Sequence, residues 1–445
     1  MDSKYKICTL LHQTILVFIC ILINICSLNQ LPFAMMKYFV FLFVLYAGVS
    51  GAQENMLLLQ QAVDSALQNN PDLNQANAIL KQKESEWRTL TGIEAPEISY
   101  FEEGVNPDVP TPFEERRWTI SQSVDFPLTT IYRLKAVKEE AKAVGFRIKA
   151  MENEIKSQVK SRYIEVLYAL HLKEVGERQK KLADELYNAA YTRFETGMGN
   201  GIDLLNAELQ VSEAENVLSE AERLLHMARY SLFYLMGLEV SEINYSIQFS
   251  DSLRSRPVEI NQIQALAKLQ EQPNYMAALC DYNASSNKLK EAKSNILPDI
   301  RLNLYKQNYG GGFSYTGFEV GLSIPIWLPF EQKGKIEMAQ ARQTEIEWQQ
   351  KSIELDMKQQ IEHAWHSYKS SKQIIDRYNE TMSTKSQKLQ QLSLKAYQLG
   401  ESDLLNLINA QQTYLLNQKR YLTALRDYYL QLAQLEKFLD QELVY

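Results

Sequence analysis

From Lys335 to Tyr445 the chain contains one glycine, Gly400, and no proline. Glycine weakens helices and proline breaks them, so a run this long without either reads as helix, and Gly400 marks where it turns back. A second segment is written the same way. "RFETGMGNGIDLLNAELQ" (Arg193–Gln210) places Gly197 ahead of Asn206–Ala207, as Gly400 precedes Asn409–Ala410.

The match extends along the chain at an offset of 200 to 203 residues. "NNPDL" (Asn69–Leu73) aligns with "EQPNY" (Glu271–Tyr275), and "APEIS" (Ala95–Ser99) with "LPDIR" (Leu297–Arg301). "SVDFP" aligns with "SIPIW". A unit near 200 residues is too long for a solenoid repeat, so two similar halves are expected, 53–250 and 257–445.

Each half has the same order of elements. A short helix (about Leu57–Gln68, then Ile260–Gln270) stops before a proline. A second follows, Asp72–Thr91 and Asn274–Asn295. Hydrophobic periodicity then switches to two, which predicts strands. "RRWTISQSVDF" alternates Trp118, Ile120, Val124 and Phe126 with Thr119, Ser121, Ser123 and Asp125. "GFEVGLSIPI" sets Phe318, Val320, Leu322, Ile324 and Ile326 against Glu319, Gly321 and Ser323. "DIRLNLYK" also alternates, and "EISYFEEG" does so more weakly. The turn-forming links "NPDVPTP" (Asn106–Pro112) and "YGGG" (Tyr309–Gly312) complete one β-hairpin per half, about 97–127 and 299–326.

A long helix follows each hairpin, about Thr130–Thr196 and Lys335–Leu399. In the second, Met357, Ile361, Ala364, Tyr368, Ser371, Ile375, Tyr378, Met382, Lys385, Leu389, Leu392, Ala396 and Leu399 step by fours and threes. That heptad predicts one uninterrupted coiled-coil helix. It turns at 400–402 and returns as a helix over Asp403–Asp440, just as the first turns at 197–201 into Ile202–Gly237.

The first 52 residues read as an upstream extension and a signal peptide. In "MKYFVFLFVLYAGVSGA", Lys37 opens, Tyr38–Tyr46 is apolar, and Ser50 and Ala52 sit at the −3 and −1 positions. The apolar "ILVFICILINIC" upstream is alternatively a membrane anchor. Cys8, Cys20 and Cys26 fall in this segment, leaving Cys280 alone, so no disulfide is expected after cleavage. The 47 basic and 54 acidic residues are interspersed, which excludes a nucleic-acid footprint.

Catalytic and metal chemistry is weakly signalled. His363 and His366 in "EHAWH" have a ligand-like spacing but no evident third partner, so no metal or other cofactor is expected. Gly310–Gly312 lies in a hairpin link rather than a phosphate loop, and no nucleophile–base pair stands out, so no enzyme is expected.

Two amphipathic β-hairpins supply four strands, too few to close around water. A sheet in lipid must close, because lipid offers its edges no partner. Three copies sharing one barrel would contribute twelve strands, with the helical columns continuing as a tube. The fold expected is therefore mainly α with a small β part: duplicated antiparallel helical hairpins in an α-barrel, plus a trimeric twelve-stranded transmembrane barrel.

The paired "NPD" and "QPN" helix starts, the two hairpins and the tips written Gly-x5-(Asp/Asn)-x2-Asn-Ala resemble the TolC outer-membrane efflux protein family over essentially the whole mature chain. The resemblance implies a homotrimer in the outer membrane of a Gram-negative bacterium, in contact with its lipid and with a long periplasmic extension. It implies a passive exit duct served by a periplasmic adaptor (a membrane fusion protein) and an inner-membrane efflux pump, with the RND type as the candidate. By resemblance, Asp203 and Tyr397 tie a closed aperture. Asn406 and Asn409 stand where acidic rings occur in relatives, so an acidic gate would fall to Asp403 or Glu401 instead. Gly197, Met198, Gly400 and Glu401 form the adaptor-facing turns, which depart from a Val-Gly-Leu-like version. Trp118, Ile120, Phe318, Val320 and Leu322 are the lipid-facing candidates. "SQSVDFP" (Ser121–Pro127) is similar to a segment of members serving heavy-metal cation pumps, while drugs, bile salts and secreted products stay open. A periplasmic coiled-coil adaptor or scaffold without a pore is the competing reading.

Overall fold

The structure, a computed structural model, describes residues 56–106, 108, 110, 113–238, 247–323, 330–439 and 441–444. The expected leader and its cleavage point, Ile324, Ile326 and part of the Asn106–Pro112 link lie outside these residues. The elements below belong to one contact unit, Leu57–Tyr445.

Two short helices open it, α1 (Leu59–Asn69) and α2 (Pro71–Glu86). Asn70 separates them: its side chain accepts hydrogen bonds from the backbone N–H groups of Asp72 and Leu73, and Pro71 takes the first helical position. Strands β1 (Glu97–Glu103) and β2 (Glu115–Val124) lead into α3 (Pro127–Glu195), whose 69 residues span about 100 Å. The chain returns along α4 (Gly201–Leu235). A short α5 (Gln262–Ala267), α6 (Pro273–Ser294), β3 (Asp299–Tyr309) and β4 (Phe313–Ser323) follow. Last come α7 (Glu331–Arg377), α8 (Ser383–Leu399) and the returning α9 (Leu404–Leu439).

Helix α3 packs along its length against α4, α6 and α9, and against α1 and α2. The second long column, α7 with α8, packs against α6 and α9. Neighbours therefore run α2–α3–α6–α7 toward the sheet and α4–α3–α9–α8 toward the tips. The outermost helices keep exposed apolar side chains, such as Leu205, Leu209 and Met227 on α4 and Leu389, Leu392 and Leu399 on α8.

The main core joins α1, α3, α7 and α9 around Tyr163, Leu167, Ile361, Tyr368, Leu425 and Tyr429. A buried ion pair, Lys160 Nζ to Glu436 Oε2 at 2.7 Å, crosses it from α3 to α9. The other carboxylate oxygen of Glu436 accepts from the N–H groups of Leu443 and Val444, which fastens the chain end.

The second long helix departs from the uninterrupted rod its sequence predicts. Between α7 and α8, Tyr378–Met382 forms a π-helical turn with no buried residue. Above it the heptad holds without exception: Met357, Ile361, Ala364, Tyr368, Ser371 and Ile375 are buried. Below it the buried positions are Ser386, Gln390 and Tyr397, each one residue beyond the expected Lys385, Leu389 and Ala396. A π-bulge adds one residue to a turn, and one residue is about 100° of rotation, so the seam moves by one position. Neither glycine nor proline is needed, which is why composition gave no warning.

Candidate functional site

Two regions concentrate the expected functional residues. At the first, α3 ends in Thr196 and Gly197, and the N–H groups of Met198 and Gly199 both donate to the Arg193 carbonyl, at 2.9 and 2.8 Å. Asn200 then caps α4, accepting from Asp203 N–H at 2.8 Å. The α8–α9 turn is built alike: the N–H of Glu401 donates to the Ala396 carbonyl at 2.9 Å, and Asp403 accepts from Asn406 N–H at 2.8 Å. Gly197 (φ 73°) and Gly400 (φ 78°) occupy the left-handed conformation that ends each helix.

The two tips are joined. Leu186, Ala190, Ala207, Tyr397, Leu404 and Leu407 form a small apolar cluster of their own, separate from the main core. Tyr397 is its largest member, 1 % exposed, yet its hydroxyl has no hydrogen-bond partner. Burial pushes that phenol's pKa up, the negative charge of Asp203 adds to the rise, and Arg193 opposes it. The Arg193 guanidinium lies over the Tyr397 ring, 4.6 Å from its centroid. It also donates to the Tyr397 carbonyl at 2.8 Å and to the Met198 carbonyl at 3.2 Å.

Asp203, Tyr397, Met198, Glu401 and Asp403 thus border one depression with Arg193. Asn406 and Asn409 are exposed on α9 outside that depression, and Asp403 is engaged as a helix cap. Sequence reasoning missed Arg193. The available signal was a cation in the last turn of a long helix, where the dipole favours positive charge.

The second region is the sheet. All four strands are antiparallel in the order β1-β2-β3-β4, and the two hairpins pair with each other through β2 and β3. Residues opposite one another share a face. Successive rows on one face read Val124, Ile300, Leu322; then Gln122, Leu302, Val320; then Ile98, Ile120, Leu304, Phe318; then Tyr100, Trp118, Lys306, Thr316. Six residues of strand separate the first row from the fourth, roughly 20 Å. The fourth row carries the Tyr100–Trp118 ring contact, 4.7 Å between centroids. The opposite face reads Glu97, Ser121, Asn303, Glu319, then Ser99, Thr119, Tyr305, Gly317.

The named apolar residues are mostly exposed: Ile98, Tyr100, Trp118, Ile120, Leu304, Phe318, Val320 and Leu322 all lack cover. The outer edges of β1 and β4 have no strand partner among the described residues. Among those residues no helix is long and apolar enough to cross a membrane, and no three His, Cys, Asp or Glu side chains converge on a metal-sized site. His363 and His366 are both exposed on α7, with His366 facing Glu362 at 3.8 Å.

Residues 62–238 match the family model described as outer membrane efflux protein. No curated protein matches the chain in sequence. Among solved structures, the fold is similar to the outer-membrane channel OprN, with a TM-score of 0.74 at 14% identity, covering 86% of this chain and 89% of that one. VceC, an outer membrane protein of the pathogen Vibrio cholerae, gives 0.74 at 18% identity, covering 86% and 96%. CusC, whose structures concern folding and transmembrane channel formation, gives 0.69 at 17% identity, covering 86% and 91%. At these identities the likeness is one of fold.

Proposed function

We propose that this chain, which resembles the outer membrane efflux protein family in sequence over 62–238 and in fold over most of its length, is the exit duct of a tripartite efflux system. One observation carries the reading. Four strands align an exposed apolar face some 20 Å tall, bounded by a Tyr–Trp row, and end in two unpaired edges. An apolar band of about 25 Å with aromatic girdles is what lipid requires of a barrel's outside, and open edges do not survive there. Trp118, Ile120, Phe318, Val320 and Leu322 are then the lipid-facing residues. Three copies contribute twelve strands, and the one-sided helices α4 and α8 find their missing neighbours on adjacent copies. A periplasmic scaffold without a pore has no use for such a sheet.

The two halves, 53–250 and 257–445, are read as copies of one duplicated unit, supported by their common order of helices and strands. The columns extend into the periplasm. The turns at Gly197–Met198 and Gly400–Glu401 meet an adaptor, which couples the duct to an inner-membrane pump of the RND type. Asp203 and Tyr397, with Arg193, form the gate. Asn406 and Asn409 put no charge into it, so any acidic contribution comes from Glu401 or Asp403.

For substrate, the resemblance of "SQSVDFP" supports heavy-metal cations. Within that segment Asp125 accepts from Arg133 at 2.6 Å, and Arg133 also reaches Glu291 at 2.8 Å, so this carboxylate braces the strand–helix junction rather than waiting for a cation.

Planar-bilayer recording on detergent-purified protein tests the proposal. A conducting trimer supports it, and a water-soluble monomer without conductance overturns it. Metal tolerance in a host lacking its own duct, compared with drug tolerance, tests the substrate class.

A further inference from the structure

The polar face of the sheet has an uneven profile. Nearest the helices its residues are mostly small: Ser123 and Gly321 flank Arg301, and Ser121 and Asn303 lie between Glu97 and Glu319. The next row holds Ser99, Thr119, Tyr305 and Gly317. Tyr305 adds little height there, because its ring lies over Gly317, where a Cβ would collide with it. One row further, toward the end where each hairpin turns, every residue is large: Phe101, Arg117, Gln307 and Tyr315. Beyond them come Glu103, Glu115, Tyr309 and Phe313.

The large side chains brace one another. The Arg117 guanidinium lies over the Phe101 ring, 5.6 Å from its centroid. Gln307 donates to Glu115 at 2.7 Å and to the Tyr309 hydroxyl at 2.6 Å. The Tyr309 ring meets Tyr315 edge-on, with centroids 6.1 Å apart. Charge is uneven too. Arg116, on the apolar face, is paired with Glu102 at 2.8 Å. Arg117 has no ion pair among the described residues, and its Nε is enclosed without a hydrogen-bond partner.

We propose that Phe101, Arg117, Gln307 and Tyr315, backed by Tyr309, form a collar inside the shared barrel. It is the narrowest stretch of the barrel lumen and a ring of positive charge that cations must cross. The inference rests on the trimeric channel reading. Neighbouring copies pair along the edges of β1 and β4, so they leave this face open to the lumen rather than covering it. About eight strands enclose a space that side chains fill, and about sixteen leave an aqueous channel. Twelve lie between, so the bulk of each inner row decides the width at that height. A ring of arginines is an electrostatic barrier to cations and a counter-charge for anionic groups. Acidic rows lie on either side, Glu97 with Glu319 and Glu103 with Glu115. A cation is therefore drawn to the collar and slowed at it, while a solute carrying a carboxylate or phosphate finds its partner there. The collar sorts solutes after the tips have let them in.

Open-state current amplitudes in planar bilayers test the collar, because they are read only while the tips are open. Phe101→Ala combined with Tyr315→Ala should raise the amplitude about twofold, and Trp118→Ala on the lipid side should leave it unchanged. Arg117→Gln should raise the cation-to-anion permeability ratio about threefold, and Arg117→Lys should keep the wild-type ratio. Should the truncated collar fail to assemble, Gln307→Cys in the full chain carrying Cys280→Ser keeps its bulk. Attaching a sulfonatoethyl group to that thiol should cut the amplitude by about half, with a much smaller loss at Thr119→Cys in the wider row. Conducting channels whose amplitude ignores both the truncation and the adduct overturn the collar, and so does a permeability ratio that ignores Arg117→Gln. Either result leaves the channel reading standing. Wild-type protein without conductance removes both.

Discussion

Arg193 holds Tyr397 by two independent contacts, ring stacking at 4.6 Å and a hydrogen bond to the backbone carbonyl at 2.8 Å, although 204 residues separate them in sequence. The first contact reads the aromatic face and the second would accept any residue. Together they bind the α3–α4 tip to the α8–α9 tip within one copy.

Arg193→Ala should loosen the tips. A hydrogen bond from a charged donor contributes about 1.5–3 kcal/mol and an exposed cation–π contact about 0.5–1 kcal/mol. Roughly 1.4 kcal/mol is a factor of ten in a two-state equilibrium. Single-channel open probability should therefore rise about tenfold or more. Arg193→Lys should recover part of the loss, since an ammonium can donate to the carbonyl but lacks the planar stack.

Arg193 also shows what sequence can and cannot reveal here. The α3 and α9 helices, the strand alternation around Trp118 and Phe318, and both glycine turns were legible, because each is a local pattern of period or breaker. "EISYFEEG" was weak because Glu97, Glu102 and Glu103 blur the alternation, yet β1 forms in full register with β2. Pairing of β2 with β3 and the Arg193–Tyr397 contact join residues from different halves, and no local pattern encodes them. The π-turn hid for the opposite reason: the heptad runs on through Tyr378–Met382 in the sequence, while the helix itself adds a residue.

Tyr397 offers a sharper test, because its ring and its hydroxyl do different things. The ring stacks under Arg193, whereas the buried hydroxyl has no partner. Tyr397→Phe should keep the tips closed and stabilise them by about 1 kcal/mol by removing an unsatisfied polar group. Tyr397→Ala should open them. The phenol pKa is raised by burial and then by Asp203, so the neutral form is the one the fold favours. That stability is complete below the ordinary tyrosine pKa near 10 and is lost as pH climbs through the raised value. Wild-type open probability should thus increase only in strong alkali, an increase Tyr397→Phe should abolish.

Midway along α3, Lys160→Met should be costly, because it leaves Glu436 buried without its cation. Breaking a buried pair from one side destabilises by about 3–5 kcal/mol. The N–H groups of Leu443 and Val444 still solvate the carboxylate, which places the expected loss near the lower end. Thermal unfolding should show the loss, and the double variant Lys160→Met with Glu436→Gln should recover part of it.

Phe318 and Glu319 are chain neighbours on opposite faces of β4, which makes them a matched pair for testing which face meets lipid. Phe318 lies in the apolar row with Ile98, Ile120 and Leu304. Glu319 accepts from Asn303 at 3.3 Å on the polar side. An arginine on the lipid face costs about 2–4 kcal/mol near the bilayer midplane, while a lumenal substitution changes selectivity instead. Phe318→Arg should sharply reduce the yield of assembled trimer in the outer membrane. Glu319→Arg should assemble normally and shift the reversal potential toward anions. Equal assembly of both, or the reverse order, would mean that the apolar rows do not face lipid.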